Sequence, residues 1–460
     1  MTFISVLAVI FAIGLASYVA GRHRAILGRA QGQSYHSLPN YYGIWAAILS
    51  LLPAILVLVL WSLLDNLVFH QWVRAFYPAE LLSSDSIQNA VTLAKIENIV
   101  DGIRFGDPEP WIIKAGEAWT VWQAESDLLK SVISISLALV GGTIGVIQVN
   151  KSFRSRNAVE GVMMFGLIAS STVAIFTTIA IVLSVLFETI RFFQLVPPTD
   201  FLFGLEWNPQ FEGAERAGSG GGTATYGMVP MFMGTLLISA IALFVSVPVG
   251  LLSAVYLSEY ASNRTRSIVK PLLEILAGVP TVVYGFFAAL TVAPFVKSAG
   301  EAIGLTVASE SALAAGLVMG VMIIPFVSSL SDDVINAVPQ SLRDASYGLG
   351  STPSETTRMV VLPAALPGIV AAVILAVSRA IGETMIVVMA AGLAANLSFN
   401  PLDAVTTVTS QIVTILVGDQ EFESAKTLSA FALAMMLIIL TLGLNYFALQ
   451  VVKKYREQYD

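Results

Sequence analysis

Two charged residues stand in a strongly apolar stretch of the last third of the chain. Arg379 and Glu383 are four residues apart within the apolar run 366–388. Residues at this spacing share one face of a helix, so the sequence predicts an ion pair. A guanidinium in such a place supplies fork-shaped donors to an oxyanion, and a neighbouring carboxylate orients it. The alternative is a structural pair that neutralises itself or bridges to a neighbouring chain.

A second set of residues, in the polar loop 332–365, forms one pattern of fixed spacing. An acid is followed by two small residues, then by a glycine four positions on, and by a Leu-Pro pair twelve positions after the glycine. Small side chains let a helix lie close to a partner, and we expect such a helix over Asp344–Leu349. The positions that carry the pattern are Asp344, Ala345, Ser346, Gly350, Val360, Leu362 and Pro363.

The same loop carries the signals for a turn between two short helices. We expect Gly350 to end the first helix, because glycine adopts the C-terminal cap conformation without steric cost. Pro353 suits the first turn of a second helix, with Ser351 or Thr352 as its N-cap. A helix–turn–helix at a membrane surface can transmit a rigid-body push to the spans that it connects. The alternative is an ordinary amphipathic connector.

Several kinds of chemistry are excluded by residues that the chain lacks. There is no Gly-Lys dipeptide, and therefore no P-loop for nucleotide phosphates. There is no cysteine, and the three histidines form no HExxH zinc motif. A net charge of −7 argues against nucleic acid as a partner. We therefore expect no ATPase site, no other enzyme activity, no metal and no cofactor in this chain.

The composition places most of the chain in lipid. Apolar residues make up 56% and charged residues 12%, against roughly a quarter charged in soluble domains. Backbone groups in lipid must bond internally, so each apolar run of roughly 20 residues predicts a helix. The sequence thus predicts an all-α integral membrane protein. Nine runs are long enough, at about 2–20, 44–64, 131–149, 162–187, 229–257, 271–296, 310–331, 366–388 and 428–450.

Basic residues cluster in alternate loops between these runs. Such clusters mark the cytoplasmic side, so the N-terminus is expected outside and the C-terminus inside, as nine crossings require. The protein is then a multi-pass protein of the inner (cytoplasmic) membrane. The clusters follow runs one, three, five and nine, and they are Arg22, Arg24 and Arg29; Lys151, Arg154 and Arg156; Arg264, Arg266 and Lys270; and Lys453, Lys454 and Arg456.

Other local patterns concern the outer loops and one helix contact. The acidic segment 65–130 contains a loose helical pattern over Asp85–Ile103, which indicates a small extracytoplasmic domain or a surface helix. Residues 404–417 are too polar and too short to span, and we expect a re-entrant or surface helix. Gly141 and Gly145 form a GxxxG pair, which is typical of close helix contacts.

The spaced loop resembles the coupling loop of ABC-transporter permeases, with Asp344, Ser346 and Val360 at positions where the family has Glu, Ala and Ile. Three further segments look like the PstC-type permease subunits of phosphate-specific ABC importers. These segments are Phe201–Pro209, Leu276–Phe286 and Ser378–Met385.

This resemblance implies a fold and a division of labour. It implies a six-helix, MetI-like permease core over 150–460, with 332–365 as coupling loop, after a three-helix extension over 1–149. It implies import of inorganic phosphate, with Arg379 and Glu383 in the substrate pathway. It also implies that Asp344, Ala345, Ser346, Gly350, Leu362 and Pro363 of the coupling loop couple the chain to the ATPase subunits. The implied partners are a second, PstA-type permease, a dimer of ATP-binding subunits, an extracytoplasmic phosphate-binding protein and membrane lipid.

Three alternatives stay open at this point. A permease of the same kind could carry another oxyanion, such as molybdate, sulfate or phosphonate. A secondary carrier would need an inverted repeat with discontinuous helices in matching halves, which the sequence does not display. A membrane sensor or scaffold that transports nothing would use the N-terminal block as its interaction domain.

Overall fold

The computed structural model describes residues 3–78, 86–103, 108–211, 224–417 and 423–455. Nine helices of the described residues are long and apolar enough to cross a membrane. Their number confirms the nine predicted runs, although most of the helices are longer than the apolar runs inside them. The chain divides into two compact units, Met1–Ile175 and Phe176–Asp460. The division at 149/150 inferred from the sequence stays a prediction.

The first unit is a bundle of long helices with one short helix beside it. Helices α1, α2 and α4 pack on one another, and α5 continues across the boundary into the second unit. The bounds are α1 Phe3–Ala30, α2 Pro39–Val73, α3 Ser86–Val100, α4 Pro110–Ile147 and α5 Ser155–Leu195.

Glycines of α4 bring its backbone against α2. A Cβ added to Gly141 would lie 2.0 Å from the carbonyl oxygen of Leu49, and one added to Gly145 would lie 2.5 Å from Cα of Ala46. Only a residue without a side chain permits this approach, because the obstructing atoms are backbone. The predicted GxxxG contact is confirmed.

Beyond the apolar part of the bundle, α2 and α4 continue, and α3 packs mainly on α4. The helix predicted within Asp85–Ile103 is confirmed as α3, Ser86–Val100; Asp85 itself lies outside the described residues. Its Ile96 is fully buried beside Phe69 of α2 and Trp119 of α4. The helical pattern of this segment therefore has a structural cause: its apolar side packs on the two long helices.

The second unit holds the remaining helices and one very short antiparallel ladder, in which Trp207–Asn208 pairs with Thr225–Tyr226. The ladder is a small addition to the predicted all-α fold. The bounds of the helices are α6 Pro198–Phe203, α7 Val229–Val255, α8 Asn263–Ala277, α9 Thr281–Phe287, α10 Ala293–Ala302, α11 Ala312–Asn336, α12 Gln340–Gly348, α13 Pro353–Thr356, α14 Leu362–Ile381, α15 Met385–Ala390, α16 Val408–Val417 and α17 Ala425–Tyr455.

Helix α11 lies at the centre of this unit, packed mainly on α7 and α14. Met319 and Ile323 of α11 are fully buried against Ile238 and Ala242 of α7. Three helices of the unit contain π-helical turns, in which each N–H bonds five residues back. The turns are Tyr256–Tyr260 after α7, Ala288–Val292 between α9 and α10, and Thr357–Val361 before α14.

Two predicted spans are interrupted. The predicted span 271–296 is wrong at its start: α8 ends at Ala277, and the spanning helix begins at Thr281. The break has a local cause, because Pro280 disfavours helical backbone at the residue before it. The predicted span 366–388 forms a spanning helix but is wrong at its end, since α14 ends at Ile381 and a separate short helix, α15, follows.

Candidate functional site

The spaced loop folds as two short helices at a sharp turn, which we call the elbow (residues 340–361). Gly350 has φ +88°, a left-handed conformation that favours glycine. The N–H of Gly350 donates to the carbonyl of Tyr347 at 2.9 Å, and that of Ser351 to the carbonyl of Ser346 at 3.2 Å. These bonds satisfy the last carbonyls of α12. The prediction that Gly350 ends the helix is confirmed, although α12 begins earlier than expected, at Gln340.

The second half of the elbow starts with a reciprocal cap. Thr352 Oγ1 accepts the N–H of Glu355 at 3.4 Å, and Glu355 Oε2 accepts the N–H of Thr352 at 2.8 Å. Of the two predicted caps, Thr352 is therefore the one used, and Pro353 opens the helix as expected. Ser346 Oγ lies 2.9 Å from Thr356 Oγ1, so a hydrogen bond holds the two halves together.

A residue outside the predicted set fixes the elbow to the rest of the unit. Arg343 is 8% exposed and donates to the carbonyls of Val338 and Ile335, the second at 2.8 Å. Its guanidinium also donates to Glu259 at 2.9 Å, and both side chains are nearly buried. One signal was present: Arg343 stands three residues before Ser346, on the inward side of α12.

The opposite side of the elbow faces outward. Asp344 and Ala345 are exposed, together with Tyr347. Leu349, in the turn, is 89% exposed. The turn of the elbow therefore presents a large apolar side chain on its outward face. Leu362 and Pro363 do not belong to this outward face, because they open α14 below it.

A charged cluster that no motif predicted joins α8 to α11 near the elbow. Asp332 is 2% exposed and accepts from Arg266 on both oxygens at 3.1 Å. Lys270 donates to Asp332 at 2.8 Å, and Asn336 donates to it at 2.9 Å. The hydrogen bond to Asp332 raises the pKa of Lys270 above its ordinary value. A buried carboxylate held by two cations and an amide is fully compensated.

A cavity of about 220 Å³ adjoins this cluster, between α8 and α11. Lys270 and Glu274 line it from α8, and Phe326 and Asp332 line it from α11. The structure places Glu274 on the amphipathic helix α8, outside the spanning segments.

Arg379 lies in the last turn of α14 and is exposed. Its guanidinium carbon is 5.4 Å from the centre of the Phe326 ring, a cation–π arrangement. The helix C-terminus also favours a positive charge there. Phe326 thus contacts Arg379 and also lines the cavity between α8 and α11.

Glu383 does not pair with Arg379, and the predicted ion pair on one helix face is wrong. The helix ends at Ile381, so the two residues do not share a face. Glu383 Oε1 instead accepts the N–H groups of Met385 at 3.1 Å and Ile386 at 3.5 Å, at the start of α15. These unpaired N–H groups of a helix start attract a carboxylate.

Residues after the break between α14 and α15 form hydrogen bonds to the backbone near that break. Thr409, in α16, donates to the backbone carbonyl of Glu383 at 2.7 Å. Gln411, 6% exposed, donates to the carbonyl of Leu393 at 2.6 Å and accepts from Trp207 at 3.1 Å. Residues 404–417 are too short to span, as predicted, and most of them are buried. Irregular backbone among apolar helices is tolerated where protein surrounds it or where it lines a cavity.

Two family models match the chain. Residues 7–177 match a family described as "Phosphate ATP-binding cassette transporter". Residues 246–457 match "Binding-protein-dependent transport system inner membrane component", and this part contains the elbow, the Asp332 cluster and Arg379.

In the described residues no group of three metal-ligating side chains could hold a metal ion.

Known proteins resemble the chain over part of its length. "Probable ABC transporter permease protein YqgH" of Bacillus subtilis is 30% identical over 249 residues, 54% of this chain and 75% of that protein. "Phosphate transport system permease protein PstC" of Mesorhizobium japonicum is 31% identical over 35% of this chain, which spans about half, 51%, of that relative. The inward-facing methionine ABC transporter MetNI overlaps 50% of this chain and 94% of its own at 18% identity, with a TM-score of 0.36.

The fold and the elbow define a multi-pass helical membrane subunit of a transporter. The chain belongs to the permease family of binding-protein-dependent ABC transporters.

Proposed function

We propose that this chain is the PstC-type permease subunit of an ATP-driven importer of inorganic phosphate. It lies in the inner membrane with its N-terminus outside and its C-terminus in the cytoplasm, the orientation that the basic loops favour. The phosphate assignment is supported by the match of residues 7–177 and by relatives named as phosphate permeases. Because those relatives are matched over about half their length, the substrate is carried over to this chain as a proposal.

The observation that carries the proposal is the way the elbow is held. Its outward face carries the exposed Leu349, while its inward face is fixed by Arg343 to Glu259 at the end of a spanning helix. A force applied to the outward face therefore reaches α7 and α11 without being lost in a flexible loop. The chain has no P-loop of its own, so ATP must be bound by separate subunits. The elbow is suited to receive the motion of two such subunits when they close around ATP.

The remaining roles follow from position and charge. Arg379 is exposed, and in the described part of the chain no carboxylate forms an ion pair with it, so its donors are available to an anion. Glu383 fixes the start of α15 beside it and acts as a positioning residue. A second permease and an extracytoplasmic phosphate-binding protein complete the pathway.

The test is phosphate uptake by the reconstituted complex with all its subunits. Arg379→Ala is expected to reduce uptake at least tenfold, while Arg264→Ala, which removes an exposed arginine from α8, leaves it unchanged. Assembly is checked for both variants by size-exclusion chromatography. Full uptake by assembled Arg379→Ala complexes would contradict the pathway role and favour a scaffold. Uptake that excess sulfate, molybdate or phosphonate inhibits better than phosphate does would contradict the substrate.

A further inference from the structure

A groove in the first unit is lined by residues of α2 and α4. It has a volume of about 490 Å³ and runs between α2 and α4, where their apolar parts give way to the acidic outer segment. Val57 and Leu60 line one end. Trp72, Trp122 and Glu125 line the other. From Val57 to Trp72 the groove follows α2 for roughly 22 Å, at 1.5 Å per residue.

A chain of hydrogen bonds, which we call the floor of the groove, joins its lining residues Trp61, Ser126 and Asp65 to Lys130 and Asp127, which do not line it. Trp61 donates through Nε1 to Ser126 Oγ at 2.8 Å, and Ser126 donates to Asp65 at 2.6 Å. Lys130 bonds to Asp65 at 3.0 Å and to Asp127 at 2.6 Å. Every polar group of this floor has a partner, so the floor is a fixed part of the structure and needs no ligand to satisfy it.

The charge of the groove is negative. Lys130 is the one cation of the floor, and it is shared between Asp65 and Asp127. Glu125 adds a further carboxylate at the groove wall, and it is exposed. Three acids against one base favour a positively charged group and disfavour a molecule with net negative charge.

The aromatic rings of the groove suit the same kind of group. The rings of Trp72 and Trp122 meet edge to face, with centres 5.4 Å apart. Phe69 stacks on Trp122 at 6.3 Å and an interplanar angle of 29°. Tryptophan faces attract ammonium groups, and indole side chains are enriched at the membrane–water boundary.

We propose that this groove binds the headgroup of an amine-bearing phospholipid, with phosphatidylethanolamine as its occupant. The ammonium lies between Glu125 and the faces of Trp72 and Trp122. One acyl chain follows the apolar wall at Val57 and Leu60. The amine is neutralised by a carboxylate that has no bonded partner in the described residues, while an anionic headgroup would bring its charge next to Asp65. The inference does not rest on the transported substrate.

The experiment is a competition between two lipids with identical acyl chains. The full-length chain in its complex is exchanged into detergent with equimolar phosphatidylethanolamine and phosphatidylglycerol, and retained lipid is counted by native mass spectrometry. The native chain is expected to retain phosphatidylethanolamine preferentially. Glu125→Gln is expected to lower that preference about two- to fivefold, the range for one partly exposed charge pair. Trp122→Leu is expected to lower it as well, through loss of the aromatic face.

The matched control is Glu117→Gln, which removes an acid from the same helix, α4, away from the groove lining. It is expected to keep the native preference. Helix content by circular dichroism identifies any variant that misfolds, and Glu125→Gln changes too few atoms to disturb packing. Equal retention of both lipids by the native chain would overturn the proposal. An equal loss of preference in the Glu117→Gln and Glu125→Gln variants would also overturn it, because bulk charge would then explain the effect.

Discussion

The guanidinium of Arg343 donates to the carboxylate of Glu259 at 2.9 Å, and this bond joins the elbow to the end of α7. The two residues are 84 positions apart in the chain, and their side chains are only 10% and 8% exposed. Arg343 also holds two carbonyls at the end of α11. A single side chain therefore links three helices at the point where motion would enter the second unit.

Removing Arg343 is expected to uncouple ATP hydrolysis from transport. Arg343→Ala leaves the nearly buried carboxylate of Glu259 without its cation, which costs roughly 3–5 kcal/mol for a buried pair broken on one side. Uptake should fall at least tenfold while the ATPase rate of the assembled complex is kept. Gln340→Ala, at the start of the same helix and outside this bond network, is the control. A normal ratio of transport to hydrolysis in Arg343→Ala would refute the link.

The double variant Arg343→Ala with Glu259→Ala separates the cost of an unpaired buried charge from the cost of lost side-chain packing. It removes both members of the pair, so no buried charge stays unpaired. Its melting temperature should lie above that of Arg343→Ala alone, since paired deletions are less costly than single ones. A double variant as unstable as the sum of the two single variants would mean that the residues do not interact.

Gly350 and Gly348 form a matched pair for testing the turn of the elbow. Gly350 has φ +88°, and Gly348 lies in the helix, while an added Cβ meets no atom within 4 Å at either position. Gly350→Ala is expected to cost about 1–2 kcal/mol through backbone strain alone. Gly348→Ala is expected to stabilise the helix by about 0.5–1 kcal/mol. Hydrogen exchange of the amides of residues 346–351 measures both, and equal rates in the two variants would contradict the account.

Leu349 is expected to affect assembly but not the fold of the chain. Because it is 89% exposed, Leu349→Asp should leave the melting temperature of the isolated chain unchanged. The same variant should lose binding of the ATP-binding subunits, measured by co-purification. Ser354→Asp, an exposed position in the other half of the elbow, is the charge control. Binding that survives Leu349→Asp would place the ATPase contact elsewhere.

The contact between α4 and α2 gives a prediction for the first unit. In Gly141→Ala the new methyl group would lie 2.0 Å from a backbone oxygen, so the helices must separate. We expect a loss of about 1–3 kcal/mol, the usual range for an overpacked site. Gly161→Ala has open space around it and should cause no such loss. Thermal melting in detergent measures both variants, and equal melting temperatures would show that the helices do not pack this closely.

The Asp332 cluster gives a prediction for alkaline pH. The bond to Asp332 raises the pKa of Lys270 above 10.5, so the charged lysine is favoured in the folded state. Its contribution to stability is complete below pH 10.5 and is lost as the pH rises through the higher folded value. Lys270 should therefore contribute a constant amount to the link between α8 and α11 below pH 10.5 and less above it. Limited proteolysis on both sides of this pH measures it, and Lys270→Met should abolish the alkaline step.

Local signals predicted much of the fold and part of the site. Apolar runs predicted the spans because lipid leaves the backbone no other partner, and Gly350 and Thr352 were predicted because a turn and a cap depend on a few adjacent residues. The pairing of Arg379 with Glu383 was mispredicted because the spacing rule assumes a continuous helix. The N–H groups at the start of a new helix bind the carboxylate of Glu383 instead.

The functional residues that the sequence did not predict were missed for a different reason. Arg343 bonds to Glu259, and Asp332 bonds to Arg266, 66 positions away. No spacing rule connects such positions, because the fold alone brings them together. A buried charged residue is visible in a sequence only when its partner lies within a turn or two of it, and here the partners lie on other helices.

The π-helical turn at Thr357–Val361 has a consequence for Arg379, about five turns farther along the same helix. A π turn accommodates one residue more than an α-helical turn, and one residue corresponds to about 100° of rotation. The direction in which the guanidinium points about the helix axis is thus set at the end of the helix that adjoins the elbow. Deleting one residue there would swing Arg379 by about a quarter of a revolution, without touching any atom near it.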